Sequence, residues 1–506
     1  MNEAATSTVR VRRIGIDTYL EPVAYLRADA PVCRSEGFES QSRVELRSQN
    51  RMVVATLNVV ATASLTPLAI DEAGLSESAW RALGAADGDS IIIAHAAPTD
   101  SFSHVRAKIF GRAFDRETLR PVIADIVSGR YSNIEMATFL TACAGDHLDR
   151  DETVALTRTM VEVGSRLSWP KRPVMDKHCI GGLPGNRTSL LVVPIVAALG
   201  VTIPKTASRA ITSPAGTADT METLAPVALD ARAIRRVVEG EGGCIVWGGA
   251  VNLSPADDIL IRVERVIDLD SDAQLVASVL SKKVAVGSTH VLIDIPVGPT
   301  AKIRSRAAAS KLSERLVGVG TALGLAVDPL VSDGRQPIGR GIGPALEARD
   351  VLAVLRNEAH APDDLREHAL ALAARLLESA GVAGPGEGIV LARHALADGS
   401  AWRKFEAIAD AQGGLRMPGV AAYRHSIAVP RAGIVTAIDC RRLSRIAKLA
   451  GAPRAPVAGL DLHVRLGARV DAGQPLYTLH ADSPGELAYA LAYAEHQDDV
   501  IALAPA

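Results

Sequence analysis

A chain of 506 residues with 48% hydrophobic and 22% charged residues is neither disordered nor fibrous, and it is long enough for roughly two to four domains. A net charge of −2, with no long block of one sign, gives no indication of a polyanion partner such as DNA or an acidic membrane surface, so neither is expected. Aromatic residues make up only 3%, so the core must be built from Ala, Val, Leu and Ile.

The five cysteines, Cys33, Cys143, Cys179, Cys244 and Cys440, stand singly without a CxxC pair, which argues against a zinc cluster or disulfide framework and suits a reducing cytoplasm. The start "MNEAATSTVRVRR" lacks an apolar signal core, and the longest apolar stretch, Leu190 to Leu199, is too short to span a bilayer and contains Pro194. A cytoplasmic protein with no membrane partner is expected.

In chain order, residues 1–103 read as an N-terminal β-rich domain: "RVELRSQNRMVVATLNVVATASL" is β-branched and partly alternating, and "LSESAWRALGAADGDSIIIAH" reads as helix, turn and strand. Residues 104–170 read as a helical domain, because Leu119, Val122, Ile123, Ile126 and Val127 recur at helical spacing before Gly129. Residues 171–424 alternate short apolar runs, glycine loops and helices, the pattern of a large α/β domain with a mostly parallel sheet. Residues 425–506 read as a C-terminal α+β domain. The fold class is therefore multidomain α/β.

Two loops carry chemistry. The first, "DKHCIGGLPGNRTS" at 176–189, is not a P-loop, since no glycine is followed by Lys-Ser or Lys-Thr, and it lacks the GxGxxG spacing. Strand, glycine loop, then Thr188 and Ser189 opening a helix would aim backbone N–H groups at a small anion, with Lys177 adding a full charge. The alternative is a plain βα turn in which Thr188 or Ser189 is an ordinary N-cap. The second loop, "TASRAITSPAGTADTMETL" at 206–224, is rich in hydroxyls around Arg209. Two consecutive strand ends with anion-suited loops should meet at the carboxyl edge of one sheet.

"DKHCIGG" and "SRAITSPAGTADTMETL" resemble the signature loops of the thymidine and pyrimidine-nucleoside phosphorylases, and the resemblance extends through "GGAVNLSPADD" and "LVASVLSKK". The β-rich start is similar to that of the longer branch, which holds the archaeal AMP phosphorylases and type 2 thymidine phosphorylases. The resemblance implies a pentosyltransferase that runs reversible phosphorolysis: thymidine and phosphate give thymine and 2-deoxyribose 1-phosphate. The alternative is a nucleoside 5′-monophosphate phosphorylase releasing ribose 1,5-bisphosphate. No metal or organic cofactor is implied, because phosphate is itself the nucleophile. A homodimer or larger homo-oligomer is implied as well.

By the same resemblance, Lys177, Cys179, Gly182, Ser189, Ser208 and Thr217 belong to the phosphate site. Cys179 stands where the short enzymes have a serine, and Ala207 departs from them likewise. Nucleoside or nucleotide contacts fall to Arg209, Ala210, Ile211, Thr212, Ser213, Ser278, Lys282 and Lys302. Asp270 would protonate the leaving base and His178 would face it; Asp268 and Asp272 flank Asp270 in sequence. Ser278 and Lys282, four residues apart, should share a helix face. The three aspartates lack the glycine and distant glutamate of an EF-hand, so no calcium site is expected. His360 and His368 read as surface residues. An anthranilate-type phosphoribosyltransferase, requiring magnesium and a diphosphate donor, and a phosphate-binding protein without turnover are the remaining alternatives.

Overall fold

The computed structural model describes residues 7–505 except 50, 62–65, 211, 212, 268, 270 and 498, together with the side chain of 265. Two compact units emerge, one from residues up to 112 with 120–142, the other from 113–119 and from 143 onward.

In the first unit, six strands close into a barrel in the order β1-β5-β2-β4-β3-β6: β1 (Ser7–Arg13), β2 (Val23–Arg27), β3 (Arg43–Arg47), β4 (Met52–Val60), β5 (Glu72–Leu75) and β6 (Ser90–His95). Side chains alternate across a strand, so closure requires each strand to send every second residue inward. The pairs Val9/Val11, Ala24/Leu26, Val44/Leu46, Ala55/Leu57, Ala73/Leu75 and Ile91/Ile93 do this, and all are buried. An aliphatic filling suffices for so small a barrel, which accounts for the scarcity of aromatics there. The expected β-rich start is borne out; its closure into a barrel is an addition.

The second unit holds the parallel sheets. β7 (Met175–Cys179), β10 (His290–Val297) and β11 (Ala326–Asp333) form one in the order β11-β10-β7, and β8 (Ile203–Ala207) pairs with β9 (Gly243–Trp247) in parallel. A parallel bridge from Val174 to Thr202, with Met175 N–H donating to the Thr202 carbonyl at 2.8 Å, joins β7 to β8. All five strands therefore end at one edge. The crossover from β7 to β8 is the helix Ser189–Ala198, whose residues Leu190 to Ala197 are all buried. An all-apolar helix is stable in water only when neighbours cover every side, and Ile203, Ile245, Leu370 and Phe405 belong to the same core.

The helix Ala231–Glu241, which leads into β9, starts where the Asp230 carboxylate accepts from Ala233 N–H and stops at Gly242, which takes φ 78°. Beyond it, β12 (Gly341–Ile342), β13 (Tyr423–Ala428), β14 (Gly433–Ile438), β15 (Gly459–Leu462), β16 (Arg469–Val470), β17 (Pro475–Ala481) and β18 (Ile501–Ala504) form two small sheets, β12-β15-β17-β13 and β16-β14-β18. Two helices, Cys440–Leu449 and Pro484–Glu495, pack on them around Val435, Leu443, Leu460 and Leu479. No helix among the described residues is long and apolar enough to cross a membrane.

Candidate active site

β7 delivers three consecutive ionisable side chains to the sheet edge, and the structure buries the first two. Asp176 and Lys177 are 0% and 1% exposed, and Lys205 from β8 and Lys283 from the helix Asp272–Ala285 are 3% and 1% exposed. Lys283 Nζ lies 2.8 Å and Lys205 Nζ 3.7 Å from the Asp176 carboxylate. Lys205 also donates to the Lys177 carbonyl at 2.5 Å. Lys205 and Lys283 share the Asp176 carboxylate, while Lys177 bonds Thr188 and acts on Asp294, so three lysines and two carboxylates leave one positive charge in excess when all are ionised. Burial, then the charge of Lys283, pushes Lys205 well below its usual value, with Asp176 opposing. A buried excess of positive charge is relieved by a neutral lysine or by an anion.

The glycine loop does more than turn. Gly182 has φ 78°, and a Cβ there would collide with the Lys302 backbone, so the two sequence-predicted residues are in contact and only glycine fits. Thr188 caps nothing. Instead Lys177 Nζ donates to Thr188 Oγ1 at 2.6 Å, Thr188 Oγ1 donates to Asn186 Oδ1 at 2.9 Å, and Asn186 Nδ2 donates to Asp294 Oδ2 at 3.2 Å and to Cys179 Sγ at 3.3 Å. Asp294, fully buried on β10, also accepts from Ser332 Oγ at 2.5 Å and pairs with His368 Nε2 at 3.0 Å. The surface reading of His368 is thereby corrected: its side chain is 16% exposed and turned inward onto Asp294. Helical periodicity places a histidine on a face but does not reveal a buried carboxylate opposite it.

Burial alone would raise Asp294, but the His368 hydrogen bond, Lys177 and Ser332 outweigh it and hold the carboxylate well below its usual range. Burial, then the Asp294 charge, pushes the Cys179 thiol up to about 12, so it stays protonated. Loss of solvent, then the charges of Lys283, Lys205, Lys282 and Lys177, push His178 well below its usual value. His178 is a neutral imidazole at neutral pH.

The second loop is tied to the first by Arg187, which donates to the Ala215 carbonyl at 2.5 Å and pairs with the buried Glu347. Within it, the Asp219 carboxylate accepts from Ala210 N–H at 2.6 Å and Gly216 N–H at 2.9 Å. Arg209 does not line the cleft described next. It forms a fork with Glu222 at 2.5 and 2.9 Å and stacks 4.9 Å over Trp247. Ser213 is occupied with the Ala215 carbonyl at 2.9 Å, and Thr217 opens the helix Thr217–Glu222. Ile211, Thr212, Asp268 and Asp270 lie outside the described residues, so the expected acid Asp270 has no structural account.

Beside this loop, a narrow cleft at the ends of β8 and β9 is lined by Thr206, Ser208, Gly248, Ser254, Asp258 and Lys282, among others. Ser208 and Lys282 both line it, and Lys282 Nζ donates to Ser278 Oγ at 3.3 Å, one turn away on the same helix face as their spacing predicts. Lys302 stays on the first loop's side, against Gly182. The adjacent lysines divide their work: Lys283 turns inward to Asp176, and Lys282 reaches the cleft and pairs with buried Asp257. Asp257 and Asp258 were not singled out from the sequence, although "SPADD" contains them. Loss of solvent around its carboxyl raises Asp258 to about 6, with Lys282 opposing and Asp257 adding, but the residue itself is exposed, so solvent tempers the rise.

A buried lysine cluster at the sheet edge, two loops tied together and a polar cleft beside them suit an anion and a second polar group. Known proteins agree on the class. A family described as "Glycosyl transferase family, a/b domain" matches residues 171–402, and "Glycosyl transferase family, helical bundle domain" matches 103–164. "Pyrimidine nucleoside phosphorylase C-terminal domain" matches 434–497. The protein is a pentosyltransferase, and the chain belongs to the thymidine and pyrimidine-nucleoside phosphorylase family. A Polaromonas protein named "Putative thymidine phosphorylase" is 63% identical over 493 residues, covering 97% of this chain and 96% of the relative. One of the same name from Hahella chejuensis is 53% identical over 501 residues, covering 99% of each. Anthranilate phosphoribosyltransferase from Thermus thermophilus, 21% identical with a TM-score of 0.50, covers 61% of this chain and 99% of its own. That likeness is one of fold.

Proposed function

We propose that this phosphorylase acts on a pyrimidine nucleoside, with thymidine and phosphate giving thymine and 2-deoxyribose 1-phosphate. The observation that carries the reading is the buried cluster of Lys177, Lys205 and Lys283, in which Lys205 and Lys283 share Asp176 and the net positive charge suits phosphate. A phosphate oxygen attacks the anomeric carbon as the bond to the base breaks. The electron pair leaves with the base, which takes a proton. Lys177, Ser189 and Ser208 hold the nucleophile with Cys179, Gly182 and Thr217, and the preorganised charge lowers the barrier without reorganising at the moment of reaction. Lys282 and Ser278 recognise the base beside neutral His178, and Asp270 supplies the proton.

Phosphate-dependent base release from thymidine, uridine, AMP and CMP tests this. Thymidine should be the best substrate and EDTA should leave the rate unchanged, whereas turnover requiring magnesium and a diphosphate donor would replace the reading with a phosphoribosyltransferase. Preference for AMP or CMP would favour the monophosphate alternative, for which Lys302 against Gly182 is the supporting contact. The enzyme works as a homodimer or larger assembly in the cytoplasm. Cysteines that form no disulfide suit that compartment, and Phe110 and Ile134, 89% and 77% exposed, suit burial against a second copy. Light scattering giving a monomer would overturn the assembly.

A further inference from the structure

The chain of hydrogen bonds behind Lys177 has a direction. The Asp294 carboxylate can only accept, so the Asn186 amide must present Nδ2 to it and Oδ1 to Thr188. That fixes the Thr188 hydroxyl hydrogen on Asn186 and leaves Oγ1 to accept from Lys177. The Lys177 ammonium then has one N–H committed, with two left for another acceptor. His368 Nε2 closes the far end on the Asp294 oxygen that Asn186 uses. Were the amide reversed, its oxygen would face a carboxylate and its NH2 would compete with Lys177 for the same hydroxyl.

We propose that His368, Asp294 and Asn186 form a positioning relay that aims the Lys177 ammonium, so that a histidine remote from the cleft sets how well phosphate is held. The relay rests on phosphate being the anion at Lys177. His368 does not touch the substrate; it acts through three intermediates.

The test uses the full-length enzyme and steady-state kinetics with inorganic phosphate and nucleoside varied separately. His368→Leu should raise the phosphate KM about tenfold, the effect of one hydrogen bond to a charged group, with the nucleoside KM unchanged. His368→Gln, which keeps a donor near the Nε2 position, should restore most of the loss. Asn186→Asp, which has the same shape but sets an oxygen against Asp294, should raise the phosphate KM at least as much. Thermal melts identify any variant that fails to fold, and the other two then decide. An unchanged phosphate KM in a folded His368→Leu or Asn186→Asp, equal losses for both substrates, or no rescue by His368→Gln overturns the relay. Absence of phosphorolysis in the wild type would instead overturn the function, which keeps the two failures apart.

Discussion

The two loops at the sheet edge look alike in sequence, each a strand end, a run of small residues and a helix start, yet the structure treats them in opposite ways. In the first, Asn186, Arg187 and Thr188 are buried and their polar atoms bond one another. In the second, Ser208, Arg209 and Ala210 are half-buried, and the Arg209 and Glu222 side chains are 38% and 42% exposed. A buried, hydrogen-bonded cradle is organised before substrate arrives; an exposed ion pair is screened and exchanges partners at little cost. On the proposed function, the first loop supplies the preorganised charge for the anion, and the more exposed second loop completes the site.

The sharpest way to break this contrast is to remove one cation from each loop. Lys177→Met should lower kcat/KM for phosphate by roughly a hundred- to a thousandfold, the cost of losing one preorganised charge donor. Arg209→Met should cost less than about tenfold, as expected of a pair this exposed. Equal losses in the two variants would dissolve the distinction.

The lock between the loops comes next. Glu347→Gln strips the carboxylate from Arg187, which burial holds at about 10 and which therefore remains charged at neutral pH. An uncompensated buried charge should cost about 3–5 kcal/mol in chemical denaturation, and the double variant Arg187→Met, Glu347→Leu should recover much of it. Recovery would show that the pair serves register of the loops more than net stability.

Smaller again is the pH response of the second loop. The Arg209 hydrogen bond holds Glu222 below its ordinary 4.5, although burial opposes it. A lowered carboxylate adds stability that is present above the unfolded value and lost as pH falls through the folded one, so the contribution should vanish on the acid side of 4.5. Melts of Glu222→Gln should converge with the wild type there and separate toward neutrality. A difference constant with pH would mean that the pair contributes packing and no charge effect.

The contrast between the loops also marks what the sequence could tell. The β-rich start, the α/β alternation and the helix from Ser189 were legible because local periodicity reports burial on one face or on all. Ser278 and Lys282 were legible because four residues make one helical turn. The relay was not, since Asp294 and His368 come from elements 74 residues apart and each reads locally as an ordinary polar position. Lys283 was hidden for the opposite reason: beside Lys282 at a helix end it reads as solvated, and only the sheet's topology brings Asp176 beneath it. Gly182 and Lys302 were both named by resemblance alone, and their contact was not legible, because a glycine does not name the neighbour that approaches it.

Cys179 is the mildest test of the first loop's preorganisation. Its thiol receives a hydrogen bond from Asn186 and is pushed up to about 12, so neither charge nor nucleophilicity explains its place. A neutral thiol can only be a weak donor to phosphate. If Lys177 and its supports carry the anion, Cys179→Ser should change the phosphate KM by less than about threefold, since one weak donor is exchanged for a somewhat better one. Alkylation supplies the independent check. With the thiol moved from 9.0 to about 12, its thiolate fraction at pH 8 falls roughly a thousandfold, so iodoacetamide should leave Cys179 unmodified in the folded enzyme over a time that fully labels a free cysteine. Rapid labelling that phosphate blocks would mean that the loop opens to solvent without its anion, and the cradle would then be assembled by phosphate and not in advance of it.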